Sequence, residues 1–151
     1  MLEETLGPVG HVAFVVPDVR EAMRAMAPCG LRWSSVTRPT ALMQGAAGTV
    51  QEVHVDYVAS AGGEPRVKLI SAVPGSVFET PERGGIHHLS YWVDDLESAT
   101  YRLSTQGWSV EATGLESHGA PRFRYLIDTN GSRIELGQTA LRQEFDDWAD
   151  S

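Results

Sequence analysis

The chain alternates short β-rich runs with two segments whose apolar residues recur at helical spacing. In residues 11–18, "HVAFVVPD", Val12, Phe14 and Val16 share one strand face. His11, Ala13 and Val15 share the other, since successive side chains on a strand point to opposite sides. Both faces are largely apolar, which predicts a strand buried on both sides, with a half-buried histidine at its start that needs a partner. Next, Val19, Ala22, Met23 and Met26 form one stripe at helical spacing. Asp18 followed three residues later by Glu21 reads as a capping box at the start of that helix, and Pro28-Cys29-Gly30 as its end.

The same pattern returns at an offset of 77 residues, with "HLSYWVDD" at 88–95. His11 lies over His88, Asp18 over Asp95, Val19 over Leu96, Ala22 over Ala99, Met26 over Leu103 and Gly30 over Gly107. In this second copy Leu89, Tyr91 and Val93 take the helix side, and His88, Ser90 and Trp92 the other. Asp94 and Glu97 read as the cap of a stripe formed by Leu96, Ala99 and Leu103, which Gly107 closes. Self-similarity of this kind organises the whole fold.

Strand-like runs follow each helix: "LRWSSVT", "TVQEVHVDYVAS" and "PRVKLIS" in the first copy, "WSVEATG", "RFRYLID" and "SRIELGQ" in the second. The order is βαβββ, twice. This predicts an α+β fold of two βαβββ modules in tandem, at about 8–72 and 86–138, within one domain spanning 1–151. From His11 to Lys68 is 57 residues and from His88 to Glu135 is 47, so the first copy carries ten more. The Gly/Ala-rich "PTALMQGAAGT" is expected to hold most of them as a loop over a site. The tail at 139–151 is expected to form a short acidic helix that serves packing rather than chemistry.

Alternation also sorts the polar residues. In 50–58, Val53, Val55 and Tyr57 share a face that should pack under a helix. Glu52, His54 and Asp56 share the opposite one, which meets either solvent or a polar cavity. His87 and His88 point opposite ways by the same rule, so one is expected to work and the other to be structural or exposed. A pseudo-twofold relating the copies brings His11 and His88 to equivalent places, and Lys68 and Glu135 likewise. Two imidazoles and a carboxylate converging form a credible divalent-metal set.

Composition narrows the partners. A net charge of −8 with only 12 Lys and Arg leaves no basic stripe for a phosphate backbone, so nucleic acid is not expected. No apolar run approaches the roughly 20 residues of a membrane span, and the acidic start "MLEETLGPVG" is unlike a secretory leader. A cytoplasmic protein acting on a small molecule is the expectation. Cys29, the single cysteine, is expected to be a buried apolar filler. Monomer and homodimer both remain open.

"GHVAFVVPD", "GIHHLSYWVDDLESATYRLSTQG" and "DTNGSRIEL" together resemble the vicinal oxygen chelate superfamily of glyoxalase I, methylmalonyl-CoA epimerase, type I extradiol dioxygenases and bleomycin resistance proteins. The likeness spans about residues 8–138. It implies curved mixed sheets around a cavity, with metal ligands from the first and last strands of each module: His11, Lys68, His88 and Glu135. Epimerases and glyoxalases place Gln or Glu where Lys68 stands, and an ammonium has no lone pair for a metal.

Three outcomes follow from that lysine. Lys68 swings aside and leaves His11, His88 and Glu135 as a triad for one divalent ion of unknown identity, a pattern that also suits non-haem iron. Or it replaces the ion, leaving the protein metal-free, pairs with Glu135 and binds an anionic substrate group. Or burial lowers its pKa and makes it a base or Schiff-base amine.

The resemblance to the epimerase branch further implies an acid/base role for Glu52 in "TVQEVHV", with His54 beside it and Glu135 across the cavity. "SHGAPRF", with His118, is similar to an epimerase loop. Trp92, Ser90 and Arg133 are candidate substrate-binding residues, and Trp33 a further stacking wall. The expected function is a small-molecule isomerase or lyase of the epimerase type, transferring a proton next to a carbonyl while a divalent metal or Lys68 stabilises the oxyanion. A non-catalytic, antibiotic-type binding protein and a non-haem iron dioxygenase are the alternatives.

Overall fold

The structure, a computed structural model, describes residues 5–151; the first part of the acidic N-terminal stretch, residues 1–4, lies outside the described residues. Each copy opens as its pattern predicts. β1 (His11–Val16) leads into α1 (Val19–Ala25), and β6 (His88–Val93) into α2 (Leu96–Ser104). Asp18 caps α1 by accepting from the Glu21 N–H at 2.9 Å. The cap of α2 is Asp95, accepting from the Ser98 N–H at 2.9 Å, one residue beyond the expected Asp94 and at the place the repeat pairs with Asp18.

Phe14 and Val16 pack with Val19, Met23 and Met26 under α1, while Tyr91 and Val93 pack with Leu96, Ala99 and Leu103 under α2. The opposite faces of β1 and β6 are thereby turned inward, which is where the histidines lie. Cys29 is exposed rather than buried. The turn at Ala27–Cys29 that follows α1 buries none of its residues.

The second module is completed by β7 (Ser109–Leu115), β8 (Pro121–Ile127) and β9 (Arg133–Gln138). The first is less regular. Residues 31–37 form only isolated bridges, Trp33 to Ser60 and Thr37 to Tyr57. The segment expected to be a loop is instead β2 (Thr40–Gly45), which turns into β3 (Val50–His54); β4 (Tyr57–Ala59) and β5 (Arg66–Ser71) follow. The Gly/Ala-rich turn that follows Gln44 gave the segment a loop's composition, although the β2 backbone is paired on both edges, to β3 and to β7.

All nine strands lie in one mixed sheet of order β3-β2-β7-β8-β9-β6-β1-β5-β4. β3 and β4 stand at its two ends, yet only Val55 and Asp56 separate them in the chain. A sheet whose opposite ends are joined by two residues has to curl on itself, and the result is a half-barrel around an internal cavity. Eight of the ten extra residues of the first module lie between Gly30 and the start of β2, where the second module passes from Gly107 to β7 through Trp108 alone, and the β2–β3 hairpin, the counterpart of β7–β8, reaches across to β7. At the centre, β1 and β6 pair antiparallel with His11 opposite Ser90 and Ala13 opposite His88.

The tail forms α3 (Arg142–Ala149), which lies over one end of the cavity. It is clasped by the buried Arg66, whose guanidinium donates to Asp150 at 2.8 and 3.0 Å and to Asp146 at 3.1 Å. The Arg66 hydrogen bond, helped by the Gly62 N–H, holds the Asp150 carboxyl down to about 2. No helix among the described residues is long and apolar enough to cross a membrane.

The β2–β7–β8 closure offers a direct test. Gly114 pairs with Met43 on β2 and Phe123 on β8, and the Phe123 ring lies across the place where a Cβ would stand. Glycine inside a strand marks such a close approach. Gly114→Ala is expected to cost about 1–3 kcal/mol through overpacking, read as a lower urea midpoint with an unchanged slope.

Candidate functional site

The β1–β6 register makes His11 and His88 diagonal neighbours on the inward face of the sheet. Their Nε2 atoms stand 3.1 Å apart. Glu135, on β9 opposite Ser90 of β6, adds its carboxylate, with Oε2 3.4 Å from His88 Nε2 and Oε1 3.9 Å from His11 Nε2. Lys68 on β5, opposite Ala13 of β1, occupies the place in the first module that Glu135 holds in the second. Because β5 and β9 flank the central β1–β6 pair, Lys68 and Glu135 face the cavity from either side of the two histidines.

Burial controls the charge of these groups. His11 and His88 are 2 % and 0 % exposed. Burial holds both well below the usual histidine range, and the Lys68 charge adds to the effect. Both imidazoles are therefore neutral. Burial also pushes the Lys68 ammonium down, against the opposing pull of Glu135. Lys68 Nζ sits 4.6 Å from the centre of the Tyr57 ring, a cation–π contact, and has no hydrogen bond or ion pair among the described residues.

His87 is not the incidental residue that strand alternation suggests. It lies just before β6, so the alternation does not govern it, and it is buried. Its Nδ1 is 2.8 Å from His88 Nδ1 and its Nε2 is 2.8 Å from the Val77 carbonyl oxygen. Burial, with the Arg133 charge second, brings its pKa down to about 4.

The half-barrel encloses a cavity of about 760 Å³ that reaches these groups. His11, Lys68, Glu135 and Trp92 line it, together with Phe145 and Trp148 from α3. The tail therefore walls the site: Phe145 stacks on His11 with ring centres 5.8 Å apart, and Trp148 meets Tyr57 edge-on at 5.1 Å. Sequence reasoning missed Tyr57, Tyr125, Phe145 and Trp148 as site residues. The alternation that aimed Val53, Val55 and Tyr57 at one face was the available signal for Tyr57.

Other candidates lie elsewhere. Glu52 and His54 side chains are 62 % and 59 % exposed on the outer face of β3, and the apolar set of that strand meets the cavity and core instead of a helix. The curl of the sheet, not a helix, covers that apolar face. Arg133 is held by Glu111 at 2.6 and 2.8 Å and donates to the His87 carbonyl at 3.2 Å, outside the cavity lining. Ser90 is buried beside Gly10 and does not line the cavity either. Trp33 packs on the α1 side of the sheet, and His118 is exposed in the β7–β8 turn.

The profile of the Glyoxalase/Bleomycin resistance protein/Dioxygenase superfamily matches residues 10–125. The chain belongs to this superfamily. An ethylmalonyl-CoA/methylmalonyl-CoA epimerase from Cereibacter sphaeroides is 27 % identical over 143 residues, covering 88 % of this chain and 98 % of the epimerase. Among solved structures, a catechol 2,3-dioxygenase is 20 % identical with a TM-score of 0.46, and the match covers 86 % of this chain and 42 % of that one. A fosfomycin resistance protein from Listeria monocytogenes, solved with Mn(II), is 12 % identical with a TM-score of 0.28, over 95 % of this chain and 98 % of that one.

The donor set here fits a metal ion. His11, His88 and Glu135 each offer a ligand atom, all within 4.8 Å of one another. Ligands held about 2.1 Å from one ion stand roughly 3.0–3.4 Å apart, close to the separations of 3.1 and 3.4 Å that involve His88. Each neutral imidazole has one bare nitrogen that it can turn to an ion, and the carboxylate adds its own lone pairs.

The three buried neutral histidines set a pH dependence. A group whose folded pKa lies below its unfolded value contributes stability that is complete above the unfolded pKa, near 6.5, and is lost as pH falls toward the folded one. For His87, between 6.5 and about 4, the loss is on the order of 3 kcal/mol. Urea melts from pH 7.5 to pH 4 are expected to show stability falling steadily below pH 6.5, with His87→Phe flattening that slope.

Proposed function

We propose that this chain is a small-molecule isomerase or lyase that moves a proton at a carbon next to a carbonyl, with Lys68 as its distinctive acid/base group. The observation that carries this reading is the cavity-facing ammonium of a half-buried lysine, beside the His11, His88 and Glu135 group, that has no hydrogen-bonding partner among the described residues. A lysine whose pKa is lowered by burial holds a larger fraction of free amine at neutral pH, which is what a general base requires.

His11, His88 and Glu135 would hold a divalent ion, which when bound supplies a Lewis acid for the substrate oxygen. The rest is done by the chain. Lys68 Nζ takes the proton as the C–H bond breaks and its electron pair passes into the enolate. The resulting ammonium then lies beside the oxyanion and stabilises it. The ammonium then returns the proton to the enolate, so Lys68 ends as the amine it began as, while Glu135, at the equivalent place of the other module, stays a carboxylate in the ion-holding group. Phe145, Trp148 and Trp92 keep water away from the intermediate. Glu52, exposed on the outer face, has no part in this scheme.

The epimerase homologue acts on acyl-CoA substrates by its name, and it supports proton transfer next to a carbonyl as the class of reaction here. A sequestering protein would need no reactive groups in contact, whereas His11 and Glu135 come within 3.9 Å. That proximity favours catalysis over passive binding.

The test is exchange of substrate C–H for deuterium in D2O, across a panel of 2-substituted acyl thioesters and free carbonyl compounds, with the metal content of the purified protein measured alongside. Exchange is expected from the natural chain, and Lys68→Met is expected to slow it by roughly 10²–10⁴-fold. Lys68→Gln removes a like charge and adds a donor oxygen, so it is expected to bind the ion more tightly. A protein that binds members of the panel without exchanging any would be a sequestering protein. Oxygen uptake that depends on iron would instead make it a dioxygenase.

A further inference from the structure

We infer that His87 is a positioning residue: its contact with His88, anchored on the Val77 carbonyl, fixes the tautomer that turns a bare His88 Nε2 toward Glu135 and His11. The inference follows from counting protons along one chain of contacts. A carbonyl oxygen only accepts, so the 2.8 Å contact between His87 Nε2 and Val77 O requires a proton on that nitrogen. A neutral imidazole carries one N–H, so His87 Nδ1 is then bare and accepting.

Its partner 2.8 Å away is His88 Nδ1. Two bare nitrogens repel at that distance, so the shared proton is on His88 Nδ1. His88 Nε2 is left with a lone pair, aimed at the space it shares with His11 Nε2 at 3.1 Å and Glu135 Oε2 at 3.4 Å. The neutrality of His87 rests on its setting. It is 3 % exposed, its ring meets Tyr125 edge-on at 5.9 Å, and the Arg133 guanidinium is bound to its own backbone carbonyl.

The anchor is backbone at both ends. The His87 N–H donates to the Ala13 carbonyl at 2.8 Å, and the segment carrying Val77 is pinned by Phe78, which is buried and accepts through its carbonyl from the Val73 N–H at 2.7 Å. Neither element can turn without breaking the sheet junction or the core. The linker between the modules therefore does more than join them: it supplies the oxygen that starts the relay.

His11 lacks such a relay. Its Nδ1 is buried with no hydrogen-bond partner and its Nε2 faces the bare His88 Nε2 at 3.1 Å, so without an ion the proton belongs on His11 Nε2 and has to pass to Nδ1 before Nε2 can act as a ligand. The two module-equivalent histidines are thus not equivalent in function. His88 is the preorganised ligand, and His11 adapts its tautomer to what the site holds.

As far as it concerns ligation, the inference rests on the metal-holding role proposed for the triad, but the tautomer itself can be read without a metal. In ¹⁵N-labelled, metal-free protein, two-bond ¹H–¹⁵N correlations report which nitrogen of a neutral imidazole is protonated. His88 is expected as the Nδ1–H form, and as a mixture or the Nε2–H form in His87→Phe. Titration with Mn²⁺ or Zn²⁺ alone is expected to be about 10–100-fold weaker for His87→Phe.

Gln at 87 has both a donor and an acceptor, so His87→Gln, which also covers the case in which His87→Phe fails to fold, should recover part of the tautomer bias. His88 found as Nε2–H in the natural chain overturns the inference. So does a folded His87→Phe with an unchanged tautomer and unchanged metal affinity. A natural chain showing His88 Nδ1–H while binding neither ion upholds the positioning role and overturns only the metal-holding reading.

Discussion

The antiparallel register of β1 against β6 is the constraint on which the rest depends. With His11 opposite Ser90 and Ala13 opposite His88, the two imidazoles fall diagonally on one face, and their Nε2 atoms meet at 3.1 Å. A slip of one residue would send either ring to the helix side, where Phe14, Val16, Tyr91 and Val93 already pack. The register is held because both faces of these strands are buried, so it is the apolar pattern around the histidines, not the histidines themselves, that brings them together. Burial in that setting costs both rings their charge and leaves them as lone-pair donors.

The β2–β3 hairpin of the first module completes what the register begins. Two open modules joined at β1 and β6 would leave a long free edge on β7. The β2–β3 hairpin covers it, and since β3 runs through Val55 and Asp56 into β4 at the far end of the sheet, the same hairpin curls the sheet around the cavity. Closure and active-site shape are therefore one event. The ends of this enclosure are finished by α3, whose Phe145 and Trp148 face the histidines while Asp146 and Asp150 hold Arg66. Arg66 and Lys68 lie two residues apart on β5, so the strand that carries the cavity-facing amine also anchors the helix that covers it.

Much of this was legible in the residues. The 77-residue offset, the helix-side and inward faces of β1 and β6, and the equivalence of Lys68 and Glu135 all follow from period and repeat, because each is a local property of the chain. What was not legible depended on long-range closure. β2 reads as a loop because the Gly and Ala residues of the turn after it dominate the segment, while the pairing with β7 that holds its outer edge is long-range. Glu52 and His54 were assigned inward as one of two options that alternation leaves open. Alternation says which residues share a face but not which face a curled sheet turns inside, and the curl put Val55 and Tyr57 there instead. His87 was misread for a narrower reason: the rule for successive strand residues was applied one position before the strand begins.

The lysine gains its meaning from this asymmetry between copies. A repeat that duplicated its chemistry faithfully would present the same group twice, whereas here one module ends in a carboxylate and the other in an ammonium at matched positions, either side of a neutral imidazole pair. In a low-dielectric cavity opposite charges so placed make a field directed across the histidines. A polar ligand entering there meets the carboxylate on one side of the imidazoles and the ammonium on the other. Apolar walls from β2, β4 and α3 strengthen that field by excluding water, so the closure that shapes the cavity also sets the electrostatics inside it.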